Sequence, residues 1–251
     1  MPQNLSSLSI TFLVTALDEE EEIEATVKTI RGAQPERFGD YEILLVNDGS
    51  TDSTPAIMDR LAVEDSHVRV VHNPRNLGLG GAYKNGLHYA RMQHVMWISG
   101  DNAETSDNIE NITSHAGEAE IVIPVLVDQT GRPLLRRITS RGFTFTVNTL
   151  FGLKVRYYNG AVLHRTNLVK SVDIHTNSFA YQAEALIKLL RRGHTYVELP
   201  YRSATYDGAF SYAMRPKNLY LVFRALGRLF LEQRFGCKFP AGDEDKAPDV
   251  R

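Results

Sequence analysis

The chain has 251 residues, 43% of them hydrophobic and 23% charged, with a formal net charge of −2. This is an ordinary globular composition, and no apolar run approaches the ~18–20 residues of a membrane span. The single cysteine, Cys237, excludes an internal disulfide and a cysteine-based zinc site.

The charge is polarised along the chain. Residues 1–128 carry 8 basic and 21 acidic side chains, a net −13, and residues 129–251 carry 20 and 9, a net +11. Between Arg132 and Lys170 there are eight basic residues and no acidic one. That stretch is either a solvated basic face or a surface for a phosphate, a polyanion or an anionic membrane. No zinc finger, helix-turn-helix or RNA-binding aromatic motif accompanies it, so nucleic acid is not an expected partner. Met1 to Ile10 lacks the basic and apolar regions of a signal peptide, which predicts a cytoplasmic protein.

In chain order, Ser9–Thr15 reads as a first strand. The acidic run Asp18–Glu24 follows, then Ile23, Val27 and Ile30 at helical spacing. Carboxylates suit a helix start, so most of the run is structural, and Asp18 and Glu19 at the turn are the candidates for ligand contact. Ile43–Val46 is a continuous apolar run, the pattern of a strand buried on both faces. It stops at the turn cluster Asn47-Asp48-Gly49-Ser50. Ser53 or Thr54 can then cap a helix that opens with Pro55 and runs to Glu64. A third strand, Val68–His72, leads into the glycine-rich loop 73–81 and a helix with Tyr83, Leu87 and Ala90 on one face.

Val95–Ser99 is a fourth strand. It ends in a second acidic turn, Gly100-Asp101-Asn102-Ala103-Glu104, and Asp107 or Asn108 opens the next helix. Glu120–Val127 is a fifth strand. Strand–helix alternation of this kind predicts a mostly parallel sheet flanked by helices, with ligands at the carboxyl ends of its strands. The second half is less regular. Phe143–Leu153 and Phe179–Arg192 read as helices, Ala161–His164 and Thr195–Leu199 as strands. Pro216–Phe235 reads as an amphipathic helix with Leu219, Val222, Phe223, Leu226, Leu229 and Phe230 on its apolar side. The polar tail 241–251 is expected to be disordered.

With both acidic turns placed, the sequence resembles the family 2 inverting glycosyltransferases of GT-A fold, and most of all the dolichol- or polyprenyl-phosphate mannose synthase-like branch. Four stretches carry the resemblance. They are Val14-Thr15-Ala16-Leu17-Asp18-Glu19 (with Asp18 where the family has Asn), Val46–Thr54 with its Asn-Asp-Gly-Ser turn, Asn73–Leu87, and Ser99-Gly100-Asp101 in the place of the Asp-x-Asp metal motif. Here the first metal-motif Asp is Ser99, and the branch's Arg-x-x-Gly-x-Ser-Lys pattern is reduced to Tyr206–Tyr212.

The resemblance implies one GT-A domain over residues 1–240. Residues 9–128 form the nucleotide-sugar half, 129–212 the acceptor half, and 216–235 a C-terminal amphipathic helix. It implies a donor pocket of Ala16, Leu17, Asp18, Glu19, Asp48, Gly49, Ser50, Gly100 and Asp101. Asp101 would hold Mg²⁺ or Mn²⁺, helped by Glu104 or Ser99, and Arg132, Arg136 and Arg141 are candidates to stabilise the developing charge. The acceptor would be a polyprenyl phosphate or a saccharide. A sugar hydroxyl needs a base, for which Glu184 and Asp207 are the candidates, whereas a phosphate is already an anion. The basic helix 216–235 is a packed helix, a peripheral membrane contact or a homodimer surface. Two other readings stand beside this one. A sugar-phosphate nucleotidyltransferase would share the sheet, and a non-catalytic nucleotide-sugar-binding relative would explain Ser99.

Overall fold

The computed structural model describes residues 4–128, 134–202 and 215–237. Seven strands form one sheet in the order β3-β2-β1-β4-β6-β5-β7. They are β1 (Ser9–Ala16), β2 (Asp40–Asn47), β3 (Val68–His72), β4 (His94–Ser99), β5 (Ile121–Asp128), β6 (Leu163–Arg165) and β7 (Tyr196–Arg202). All pairings are parallel except those of β6, which runs antiparallel to both β4 and β5. The carboxyl ends of β1, β2, β4 and β5 therefore share one edge.

The helices are α1 (Ile23–Gly32), α2 (Thr54–Glu64), α3 (Leu79–Tyr89), α4 (Ser106–Ser114), α5 (Leu134–Phe151), α6 (Thr166–Lys170), α7 (Tyr181–Arg191) and α8 (Pro216–Phe235). They cover both faces. Ile43, Leu44, Leu45 and Val46 are all 0% exposed, as an uninterrupted apolar run requires. Alternate residues serve opposite cores. Leu13, Leu44 and Val46 pack with α3 and α7, and Phe12, Val14, Ile43 and Leu45 pack with α1, α2 and α4. Each such burial contributes roughly 1.5–3 kcal/mol, which makes the central strands a rigid base for the turns they carry.

Several boundaries differ from the sequence expectation. The helix read over Phe143–Leu153 begins at Leu134, because the Arg/Leu-rich stretch before it continues the helix through Gly142, whose missing Cβ has open space around it. Phe223 faces solvent at 56% exposure, and α8 buries Asn218, Val222, Leu226 and Leu229 instead. Helix α4 starts one residue earlier than read, capped by Thr105, whose Oγ1 accepts from the Asn108 N–H at 3.2 Å. No helix among the described residues is long and apolar enough to cross a membrane. Asp207, Arg132 and the tail 241–251 lie outside the described residues.

Candidate active site

After β1 the chain lays β2 and β3 on one side and then returns to lay β4 on the other. The crevice where strand order reverses lies at the carboxyl ends of β1 and β4, where open α/β sheets bind ligands. The pairing runs past the formal strand ends. The Asp48 N–H donates to the Ala16 carbonyl at 2.9 Å, and the Gly100 N–H donates to the Thr15 carbonyl at 2.9 Å. A Cβ on Gly100 would stand 2.6 Å from the Ala16 Cβ, so only glycine lets the two acidic turns meet this closely. Ala16, Leu17, Asp18 and Glu19 thus lie between Asp48-Gly49-Ser50 on one side and Gly100-Asp101 on the other.

The first two turns are stitched together. The Asp18 N–H donates to Ser50 Oγ at 3.0 Å, and Asp18 Oδ1 accepts from the Thr51 N–H at 2.7 Å. The Glu19 N–H reaches Thr54 Oγ1 at 2.8 Å, the Glu20 N–H reaches Asp52 Oδ2 at 3.1 Å, and the Ser53 N–H reaches Glu20 Oε2 at 2.8 Å. The acidic run before α1 is therefore mostly structural, and Asp52 serves the start of α2 through its 2.9 Å bond from the Thr54 N–H. Asp18 has φ 54°, in the left-handed region that Asn and Asp tolerate best among non-glycine residues.

Asp48 is 4% exposed. Its Oδ1 accepts from Asn73 Nδ2 at 2.7 Å and from the Leu77 N–H at 2.9 Å, so it ties the 73–78 loop over the turn. Gly49, at φ 76°, lets that loop approach, since a Cβ there would lie 2.6 Å from the Arg75 carbonyl carbon. Burial pushes the Asp48 carboxyl up to about 6 against the lowering effect of those hydrogen bonds.

Asp101 is exposed, and its charge acts on two other carboxyls. Glu19 is pushed up to about 7, first by burial and then by Asp101, with Glu22, Asp52 and Asp18 adding to it. Glu104 is also pushed up to about 7, by burial foremost and by Asp101, while a hydrogen bond from Tyr201 opposes the shift. That bond runs from the Tyr201 hydroxyl to Glu104 Oε1 at 2.9 Å. Glu104 Oε2 is shielded from solvent and has no hydrogen-bond partner.

The sequence model of "Glycosyl transferase family 2" matches residues 11–215. The chain belongs to this family. Among its relatives, the glycosyltransferase AglD of Haloferax volcanii is 25% identical over 72% of this chain and 30% of its own length. The undecaprenyl-phosphate mannosyltransferase of Micrococcus luteus is 24% identical over 75% of this chain and 80% of its own. The chain spans between 30% and 52% of the length of several curated relatives it matches. Among solved structures, glucosyl-3-phosphoglycerate synthase from Mycobacterium tuberculosis, in complex with Mn²⁺, UDP and phosphoglyceric acid, superposes with a TM-score of 0.64. It is 18% identical and is matched over 90% of this chain and 78% of its own. The fold is GT-A.

Two residues expected at the acceptor side of a family 2 chain have different fates. Asp207 lies outside the described residues. Glu184 is buried and both its oxygens are engaged. Oε1 accepts from the His175 N–H at 3.0 Å and from Lys188 Nζ at 2.8 Å, and Oε2 accepts from the Thr176 N–H at 3.0 Å. It clamps the 175–178 loop, whose Asn177 carbonyl accepts from the Gly80 N–H at 2.9 Å at the start of α3. Arg136 and Arg141 both lie on α5, beyond the end of β5. Arg141 joins Arg156, Ser140, Phe145 and Leu126 around a cleft of about 210 Å³. Glu104 was legible only as a possible helper of Asp101, and its partner Tyr201 not at all, because the bond joins residues 97 apart.

Proposed function

We propose that the chain transfers a sugar, with inversion, from a UDP- or GDP-linked donor to a polyprenyl phosphate or a saccharide, with Mg²⁺ or Mn²⁺ as cofactor. The observation that carries this reading is the meeting of three carboxylate-bearing turns where the sheet order reverses. The Mn²⁺ and UDP of the solved neighbour support the donor chemistry, and the name of the Micrococcus relative supports a polyprenyl-phosphate acceptor.

In this reading Ala16, Leu17, Asp18, Glu19, Asp48, Gly49 and Ser50 line the nucleoside pocket. The Asp18–Ser50 and Asp48–Asn73 hydrogen bonds keep it open before the donor arrives. Gly100, packed against Ala16, brings its turn up to the pocket, and Asp101 supplies the metal-holding carboxylate. The residues fit a hard cation held largely by its substrate. Among the described residues no group of three His, Cys, Asp or Glu side chains could hold a metal alone. Glu104 Oε2, shielded and unpartnered beside the Asp101 charge, nevertheless marks a shortage of positive charge. A divalent cation bound there supplies neutralisation of the leaving diphosphate.

The commitment of Glu184 to two backbone N–H groups and Lys188 favours an acceptor that needs no base, which is what a phosphate is. Arg141 and Arg156 beside Phe145 and Leu126 suit a phosphate carried on an apolar chain. Asp207 remains the candidate base for a hydroxyl acceptor. Helices α5 and α8 expose Leu134, Leu135, Ile138, Phe145, Tyr220, Phe223, Leu231 and Phe235. Helix α5 has no acidic residue and α8 only Glu232. That combination suits peripheral contact with an anionic membrane, on its cytoplasmic side in this reading, and a homodimer would bury the same face.

The test is a thermal-shift panel of UDP-, GDP- and dTDP-sugars with and without Mn²⁺ or Mg²⁺, followed by transfer to undecaprenyl phosphate. A ligand that binds only the native state at a hundredfold excess over Kd adds about 2.7 kcal/mol of apparent stability. A metal-dependent shift with one nucleotide and an inverted lipid-phosphate product support the proposal. Donor binding without turnover would favour the non-catalytic reading that Ser99 motivates, and pyrophosphate release would favour a nucleotidyltransferase.

A further inference from the structure

We propose that His72 is a positioning residue for the Asn47–Ser50 turn, and that donor binding weakens when its ring takes up a proton. This rests on the reading of that turn as part of the donor pocket and names what controls its shape. Asn47 and His72 are register partners on β2 and β3, so their side chains lie side by side on one face of the sheet. Asn47 is 4% exposed, and its Oδ1 accepts from the Ser50 N–H at 2.9 Å. A backbone N–H can only donate, so the amide cannot turn over without setting its own NH2 against that donor. The Nδ2 group therefore points at His72 Nδ1, 3.1 Å away. Nδ2 can only donate as well, so Nδ1 is the bare nitrogen and the ring proton sits on Nε2, where Asp59 Oδ1 accepts it at 3.1 Å. Asp59, His72, Asn47 and Ser50 thus form one directed chain that ends on the turn bearing Asp48 and Gly49. Ser50 Oγ in turn accepts from the Asp18 N–H at 3.0 Å.

A charged imidazole carries an N–H at both nitrogens. The His72 side chain is 40% exposed, so a proton reaches it from solvent. Asp59 accepts the Nε2 proton in either state, and the change falls on Nδ1, whose new N–H meets the Asn47 NH2. Either that contact is lost, or the amide turns over and meets the Ser50 N–H instead. Both leave a donor unmatched beside the donor pocket. Helix α2 packs on β3 and brings Asp59 to the ring. Its other charged residues, Arg60 and Glu64, pair with each other, and Arg60 also with Glu24. From β2 the neighbour is the neutral Asn47, and the loop 73–78 has one charged residue, Arg75, which is exposed.

The experiment measures affinity of the full chain for UDP- and GDP-sugars with Mn²⁺ by calorimetry, from about pH 8 to about pH 5, the interval in which an imidazole charges. Circular dichroism checks folding at each pH. His72→Asn puts an amide oxygen in the place of Nδ1 and takes up no proton. On acidification the wild type should lose about fivefold more affinity than His72→Asn, the net worth of one hydrogen bond. The raised carboxyls of Glu19, Asp48 and Glu104 titrate in both proteins and cancel from this difference. His72→Leu, which removes the acceptor, should bind weakly throughout. Long-range ¹H–¹⁵N NMR of the ligand-free chain reads the ring directly. It should find the proton on Nε2 at the alkaline end, with the Ser50 amide resonance moving as His72 charges and staying in place in His72→Asn. A proton on Nδ1, or equal acid losses in the wild type and His72→Asn, overturns the assignment. A wild type that binds no nucleotide sugar at any pH overturns the donor reading instead, and the NMR result then decides by itself whether His72 orders the turn.

Discussion

Replacing Glu184 by glutamine separates a clamp from a catalytic base. The Glu184 and Lys188 side chains are 7% and 6% exposed, and their 2.8 Å contact is a buried ion pair one helical turn apart. Removing one partner of such a pair costs about 3–5 kcal/mol, because the other charge stays buried. Lys188 keeps the Asp173 carbonyl at 2.6 Å and a 3.6 Å approach to Glu232, which favours the lower end of that range. The glutamine amide, however, also points a donor at one of the groups that the carboxylate accepted from, the His175 or Thr176 N–H or Lys188. A buried donor left unpaired adds about 1–3 kcal/mol. The expected total is about 4 kcal/mol, a large part of the roughly 5–15 kcal/mol that holds a domain together. Urea unfolding followed by circular dichroism measures it. Transfer to a phosphate acceptor, assayed well below the unfolding transition, should survive, and Lys188→Met added to Glu184→Gln should recover part of the stability. A Glu184→Gln protein as stable as wild type within about 1 kcal/mol, yet inactive, would refute the clamp and return Glu184 to the role of base.

Three further outcomes are expected. Gly100→Ala forces a Cβ to within 2.6 Å of the Ala16 Cβ, so unfolding assays should show a loss of about 1–3 kcal/mol and calorimetry weaker donor binding; an unperturbed variant would mean that the two turns are not packed as described. The Glu104 carboxyl, raised from 4.5 to about 7 in the fold, binds its proton more tightly folded than unfolded. Its stabilising contribution is full below about pH 4.5 and is lost as pH rises through about 7. Without metal, Glu104→Gln should therefore gain on wild type by up to about 3 kcal/mol between pH 4.5 and pH 8, at about 1.4 kcal/mol per unit, and a gap that narrows instead contradicts the burial argument. Leu134→Asp with Ile138→Asp should abolish co-sedimentation with phosphatidylglycerol vesicles, and vesicle binding that persists would remove α5 from the membrane contact.

The strands and turns of residues 9–128 were readable because their rules are local. The apolar run Ile43–Val46 can be satisfied only by burial on both faces, and Asn47-Asp48-Gly49-Ser50 can only turn, so strand, turn and ligand edge follow from a dozen residues. The illegible features depend on distant partners. The strand read over Ala161–His164 is β6, but its antiparallel place in the sheet was not readable, because that is set by His94–Met96 on one side and Ile121–Val122 on the other. Glu184 was a candidate base on the family resemblance, and its buried surroundings were not read. The countersignal was Lys188, four residues on, where a buried cation and anion on one face satisfy each other. Tyr201 carried no signal at all. Its hydroxyl connects the metal-motif turn to the end of β7, the strand that leads into residues 203–214, where Asp207 lies. The turn proposed to hold the metal and the strand leading to the proposed acceptor segment are therefore joined by a side-chain hydrogen bond. A Tyr201 substitution should disturb both, even though no residue near Tyr201 in the sequence resembles a site.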